Sequence, residues 1–276
     1  MQEILLREAA VLIASAAGAY TDFKTGYIYD WVTLPLIALG LLADIYEQQF
    51  TGIALGAIVF GLGYALYYTG KLGGGDVKLY TGIALIMPSY GGGLFILSAA
   101  FLGGLCAVVF FSAYYVTGYA RKGIDTQYNS KGILRSALLL VFIAAYFYAL
   151  YSYGFISPQY AATLGVPMLF GLAFAALEKG IRKEFFVKRI RVSELEDDEL
   201  LAHDFMREEE RKAVQEKAGL GLKAVIGESE KAKLYGAGII EVAVYRNLPR
   251  FGPFIFLGVL LALAMPGFPQ IMTGGI

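Results

Sequence analysis

Two aspartates stand out by their neighbours. Asp22 closes an apolar run in "AGAYTDFKTGYIYDW", and Asp76 follows three glycines in "YYTGKLGGGDVKLYTG" before another apolar run begins. A charged side chain at depth in a bilayer costs roughly 2.5–3.5 kcal/mol on insertion scales, so acids in such places are rarely idle. Two carboxyl groups brought together cannot both ionise cheaply, so such a pair shares one proton and titrates jointly. That arrangement suits aspartic proteolysis: one carboxylate takes a proton from water while the other protonates the carbonyl of the scissile bond. Other hydrolytic chemistries lack their parts. The chain has one cysteine, Cys106 in an apolar run, and one histidine, His203 in a charged segment. No Ser–His or Cys–His pairing, Cys-based zinc site or His-rich metal site can be assembled from them. Spacing alone also allows the two acids to bind a cation, to bridge to Lys24 and Lys78, or to cap two helices.

The elements that carry these acids are membrane spans. Of 276 residues, 57% are hydrophobic and 17% charged, against roughly 25% charged in a soluble domain. A crossing helix needs about 20 apolar residues. Residues 4–21, 31–47, 51–70, 92–117, 134–153, 160–179 and 252–270 fit or nearly fit, and a shorter run at 77–90 reads as a further crossing. The expectation is an all-α polytopic membrane protein with a bundle of about eight (six to eight) transmembrane helices. With eight crossings, all of the 23 Lys and Arg but Arg7 fall on one face. Basic loops mark the cytoplasm, so the N-terminus reads as outside, and the loops bearing Asp22 and Asp76 read as cytoplasmic. The first apolar stretch reads as a retained span, not a cleaved signal.

The domain reading is a membrane core over 1–180, a small cytoplasmic domain over 181–250 and a last span within 251–276. In the middle segment, Ser193 reads as an N-cap, Glu194 to Lys217 as a solvated helix, and "AGLGLKAVIGES" (218–229) as a turn or hairpin. Nothing there suggests separate catalysis. Among the remaining acids near the bilayer, Asp44 and Glu47 read as interface markers. Asp30 reads as a helix N-terminal acid favoured by the dipole, and Asp125 and Glu178 lie beside ready basic partners.

The string "GGGD" at 73–76 is a G-x-G-D continued by Val77-Lys78-Leu79, and "TDFKTGYIYDWVTLP" contains Asp-x-Lys-x-Gly-x-Ile. In this order, separated by intervening spans, they resemble the type IV prepilin peptidases, and particularly their archaeal preflagellin-peptidase branch. The resemblance covers roughly residues 10–115, with a weaker likeness in "YRNLPRFGPFIFLGVLLAL" near the C-terminus. It implies that Asp22 and Asp76 are the catalytic pair. Gly73 and Gly75 would lend backbone freedom and room for an extended substrate strand, with Gly26 at the glycine of the first motif. Lys24 and Lys78 match family positions beside each acid, where they would favour ionisation or serve as cytoplasmic anchors. The implied substrate is a type IV pilin-like or archaellin precursor, whose short basic leader precedes a hydrophobic helix. No cofactor, metal or nucleic-acid partner is implied. The Cys-x-x-Cys pairs of many bacterial members are missing, which argues against an added N-methyltransferase activity. Three rivals remain at this stage. A presenilin-like protease would use Tyr29-Asp30 with G-x-G-D, although its Pro-Ala-Leu string does not occur. An ion-coupled transporter would use the same two acids, and a scaffold subunit would need neither.

Overall fold

In a bilayer the backbone has no water to bond, so long apolar runs satisfy themselves as helices. The computed structural model describes residues 2–196, 199–221, 226–246 and 248–266. Seven of the expected segments form helices in chain order: α1 (Gln2–Thr25), α2 (Asp30–Glu47), α3 (Thr51–Tyr68), α4 (Gly74–Ile86), α5 (Phe95–Lys122), α6 (Ser130–Ser152) and α7 (Pro158–Ile181). A short hairpin of β1 (Ser89–Tyr90) and β2 (Gly93–Leu94) joins α4 to α5. Among the described residues, five helices are long and apolar enough to cross a membrane, so the protein is polytopic, against about eight (six to eight) crossings expected. One of the helices that falls short is α4. Its 13 residues rise about 20 Å at 1.5 Å each, against a hydrocarbon core of about 30 Å.

What α4 lacks in length it makes up in burial. Nine of its residues, from Val77 to Ile86, are buried, and it packs chiefly on α2 and α3. Those neighbours present glycines where its side chains arrive. A Cβ on Gly63 would stand 2.7 Å from Val77, and one on Gly56 would stand 2.7 Å from Leu85. Small residues let helices close up where no hydrophobic effect drives them together. Leu79, Ile83 and Ala84 form the centre of this core with Val11 of α1 and Leu36 of α2.

The described chain divides into two compact units. The first holds residues 2–112, 141–171 and 250–266, and the second 113–140 and 172–249. In the second, the ends of α5 and α7 meet around Tyr119, Leu177, Ile181 and Phe186. Asn129 ties them together: its side-chain oxygen accepts from the Gly180 amide at 2.9 Å, and its amide donates to Tyr119 Oη at 3.1 Å. The chain then enters β3 (Val187–Arg191), β4 (Leu200–Leu201), α8 (Glu208–Lys212), α9 (Glu228–Gly236) and β5 (Glu241–Tyr245). The three strands are antiparallel in the order β3-β5-β4, with Val187 opposite Tyr245. This small sheet and the β1–β2 hairpin stand apart in a mainly helical protein, and the sheet corrects the expected helix over Glu194–Lys217. Beyond a short turn at His203–Phe205, helix occupies only Glu208–Lys217 of that stretch. An irregular and extended path lets Leu195 and Leu201 reach a core with Val214, Leu234, Val242 and Val244. Ser193 correspondingly lies inside a short turn, Val192–Glu194, rather than ahead of a helix. The expected hairpin at 218–229 falls partly outside the described residues. The last helix, α10 (Gly252–Ala264), returns to the first unit and packs along α1.

Candidate active site

Asp22 lies in the last turn of α1, and Gly26 ends that helix. Gly26 adopts φ +81°, a left-handed conformation that a side chain disfavours, and its amide donates to the Asp22 carbonyl at 2.8 Å. The Asp22 side chain is buried and is held from the far end of the sequence. Its Oδ2 accepts a hydrogen bond from the Gly252 amide at 2.7 Å. That amide belongs to the first turn of α10, where N–H groups have no intrahelical partner and the helix dipole favours an anion. Pro253 follows at once. Arg250 bonds through its guanidinium to the Phe23 carbonyl, and its positive charge acts on Asp22.

Asp76 lies in the first turn of α4, where its Oδ2 accepts from the Gly73 amide at 3.3 Å. It therefore closes the start of its own helix, an N-terminal arrangement in which an acid three residues in satisfies a free amide. The two acids come to one place because α4 presses on α1 and on the loop after it. A Cβ on Gly18 would stand 3.0 Å from Leu79, and one on Gly75 would stand 2.7 Å from the Ile28 carbonyl oxygen. The charges of Asp22 and Asp76 interact across this contact.

The reason for the glycines differs from the one expected. Neither Gly73 nor Gly75 has a positive φ, so the backbone there is open to any residue. Space is what they supply: a Cβ on Gly73 would stand 2.9 Å from Asp76 Oδ2, and Gly75 abuts Ile28. Of the three, only Gly74 has ordinary room, with the Tyr67 ring 3.5 Å from its would-be Cβ.

The lysines flanking the acids point to other partners. Lys24 lies over the Tyr20 ring at 4.7 Å, and Lys78 pairs with Asp30 at 2.6 Å. Asp30 opens α2 in the dipole-favoured first turn but makes no side-chain cap, and its exposed ion pair ties α2 to α4. Asp44 corrects another expectation. It is buried to 1% exposure, and its Oδ2 accepts from the Ile53 amide at 2.6 Å, capping α3. Glu47 pairs with Arg7, which also donates to the Ile86 carbonyl at the end of α4. Arg250 and Gly252 went unread as site residues. The available signal was an arginine two positions ahead of a Gly-Pro that opens the last apolar run. Among the described residues no cluster of three or more His, Cys, Asp or Glu side chains could hold a metal ion.

Two acids, one buried and one half-buried, each bonded by a backbone amide, can divide the work of activating water and protonating a carbonyl. Comparison with known proteins bears directly on the elements that carry them. Residues 9–108 match the type IV leader peptidase family. A prepilin peptidase of Methanothermobacter thermautotrophicus, EppA, is 35% identical over 97 residues, covering 30% of this chain and 24% of that relative. The chain thus spans about a quarter of the length of the curated relative it matches. No solved structure gives a significant match. The resemblance to type IV prepilin peptidases read from the two motifs is borne out, and the matched segment contains both Asp22 and Asp76. Arg250 and α10 lie outside it.

Proposed function

We propose that this protein is a membrane-embedded aspartic endopeptidase that removes the short basic leader from pilin-like precursors, with Asp22 and Asp76 as the catalytic pair. The observation that carries this reading is that the segment matching the leader peptidases contains two acids from distant parts of the chain, carried on α1 and α4 where those elements pack closely. In the proposed reaction, Asp22 and Asp76 share a proton. One carboxylate draws a proton from water as its oxygen attacks the scissile carbonyl, and the other acid protonates the carbonyl oxygen. Collapse of the tetrahedral intermediate expels the amine with a proton returned to it. Gly73 keeps the space beside Asp76 free of a side chain, and Gly75 lets the start of α4 seat against Ile28. Lys24 and Lys78 act as interfacial anchors in this reading, since their nearest partners are Tyr20 and Asp30.

The distribution of Lys and Arg supports a multi-pass placement in the cell membrane, with the N-terminus outside and the acids at the cytoplasmic face. A pilin-like or archaellin precursor fits, because its leader would lie in the cytoplasm while its hydrophobic helix stays in the bilayer. Asp30 is the acid that a presenilin-like mechanism would need, and its ion pair with Lys78 argues against that use.

The test is cleavage of a precursor carrying a basic leader and a hydrophobic helix by the purified protein in detergent. Asp22→Asn and Asp76→Asn should each abolish leader release while Asp30→Asn retains it. Loss at Asp30 with survival at Asp22 would move the chemistry to the presenilin-like pair. Full activity in both dyad variants would end the aspartic reading.

A further inference from the structure

We infer that the last helix is a working part of the catalytic site: the Gly252 amide fixes the Asp22 carboxyl group while Arg250 anchors the backbone beside it, leaving Oδ1 for water and Asp76. The catalytic half of this inference rests on the endopeptidase reading above; the contact itself does not.

The geometry is specific. The hydrogen bond from Gly252 to Asp22 joins residues 230 positions apart and is buried. No side chain fits where it forms. A Cβ on Gly252 would stand 2.8 Å from Asp22 Cβ, 2.9 Å from Oδ2 and 3.2 Å from Cγ. The donor is itself held firmly, because Ile255 and Val259 of α10 are fully buried in the core that contains Val11 and Leu79. Arg250 anchors the chain two residues earlier by donating to the carbonyl of Phe23, the residue after Asp22. Two residues therefore restrain this carboxyl group: Gly252, by its amide at a helix's positive end and by its close contact, and Arg250, by its bond to the backbone next to Asp22. None comes from residues 9–108, which match the leader-peptidase family.

A bland alternative is that Asp22 serves only as a cap for α10. Two sets of measurements separate the readings. The first is amide hydrogen exchange of the whole protein in detergent, followed by mass spectrometry at Gly252. Replacing Asp22 by Ala should speed exchange at Gly252 about tenfold or more, since a bond to a charged acceptor is worth that much, with the rest of α10 unchanged. Unaltered exchange at Gly252 would overturn the contact.

The second is steady-state cleavage of a leader-bearing precursor. Gly252→Ala pushes directly on the Asp22 carboxyl, and a shift approaching 1 Å at a catalytic group lowers turnover on the order of 10²-fold. The expected result is a large loss in kcat with KM little changed. Arg250→Met should also lower kcat, and Arg250→Lys, which keeps the cation, should recover part of it. Asp44→Ala removes the cap of α3, away from the dyad and from α10. It should lower the melting temperature while kcat of the folded enzyme stays near wild type.

Equal loss in Gly252→Ala and Asp44→Ala, or wild-type turnover in Gly252→Ala, would overturn the catalytic role while leaving the endopeptidase reading intact. If Asp22→Asn and Asp76→Asn still cleave, the endopeptidase reading fails and the catalytic role fails with it. A wild type that cleaves no precursor has the same consequence. Exchange at Gly252 judges the contact in every case.

Discussion

Replacing Gly75 by alanine tests how closely the start of α4 must seat against the α1–α2 loop. The new Cβ would fall 2.8 Å from Ile28 Cβ and 2.7 Å from the Ile28 carbonyl oxygen. Carbon atoms rest at about 3.5–4.0 Å, so the first turn of α4 must retreat by roughly 0.7 Å or distort the loop by as much. Neither atom belongs to a side-chain end that could swing away, so relief has to come from the backbone. Overpacking of this kind costs about 1–3 kcal/mol. The same retreat moves Asp76, the next residue, away from Asp22. Misplacement on this scale costs up to about 10²-fold in rate. Thermal unfolding in detergent would report the first effect and single-turnover cleavage of a leader-bearing precursor the second. Gly74→Ala is the matched control, because its Cβ would meet only the Tyr67 ring at an ordinary 3.5 Å. Equal turnover in the two variants would refute the claim that G-x-G-D glycines act by making room. So would a Gly75→Ala protein that melts and cleaves like the wild type.

Two further predictions concern sites away from the dyad. Asp44→Ala leaves the Ile53 amide buried without its acceptor and should cost about 2 kcal/mol in thermal or denaturant unfolding. Asp44→Asn should recover much of that loss, and an unchanged melting temperature in Asp44→Ala would refute the cap. His203 is buried, and neither ring nitrogen has a well-formed hydrogen bond among the described residues. Burial pushes its imidazole below the ordinary value near 6.5; the Gly221 backbone and Asp204 oppose the shift only in part, and Arg211 adds to it. The unfolded chain therefore binds the proton more readily than the folded one. The resulting stability is fully present above about pH 6.5 and is lost as pH falls towards the lower folded value. Chemical denaturation between pH 5 and 8, comparing wild type with His203→Gln, should show a downward slope on acidification that is smaller in the variant. Parallel pH profiles would refute it.

Much of the membrane part was legible in the chain because its signals are local. A run of apolar residues forces helix wherever it lies in the bilayer, so eight segments were readable and eight helices stand there. Asp22 and Asp76 announced themselves by lying between such runs, next to residues whose spacing resembles one family. The 181–250 segment misled for the same reason. Its charge suggested a solvated helix, while the pull that shaped it was a core assembled from Leu195, Leu201, Leu234 and Val244, scattered over fifty positions. Composition also said that Asp44 was ordinary; only the fold of α3 onto α2 made it a buried cap.

The sequence by itself determined that this is a polytopic helical protein, where its acids lie along the spans, and which two of them merit attention. Tertiary structure alone decided what surrounds those acids. Lys24 and Lys78 neighbour them in sequence but turn to Tyr20 and Asp30, because side chains one or two residues away project to other sides of a helix. Arg250 and the Gly252 amide, more than 225 positions from Asp22, take the place expected of a lysine. That place is open to them because α10 packs along α1 with its first turn at the end where Asp22 lies. Hydrogen bonds and fields act through space, and separation along the chain carries no record of which ends will meet.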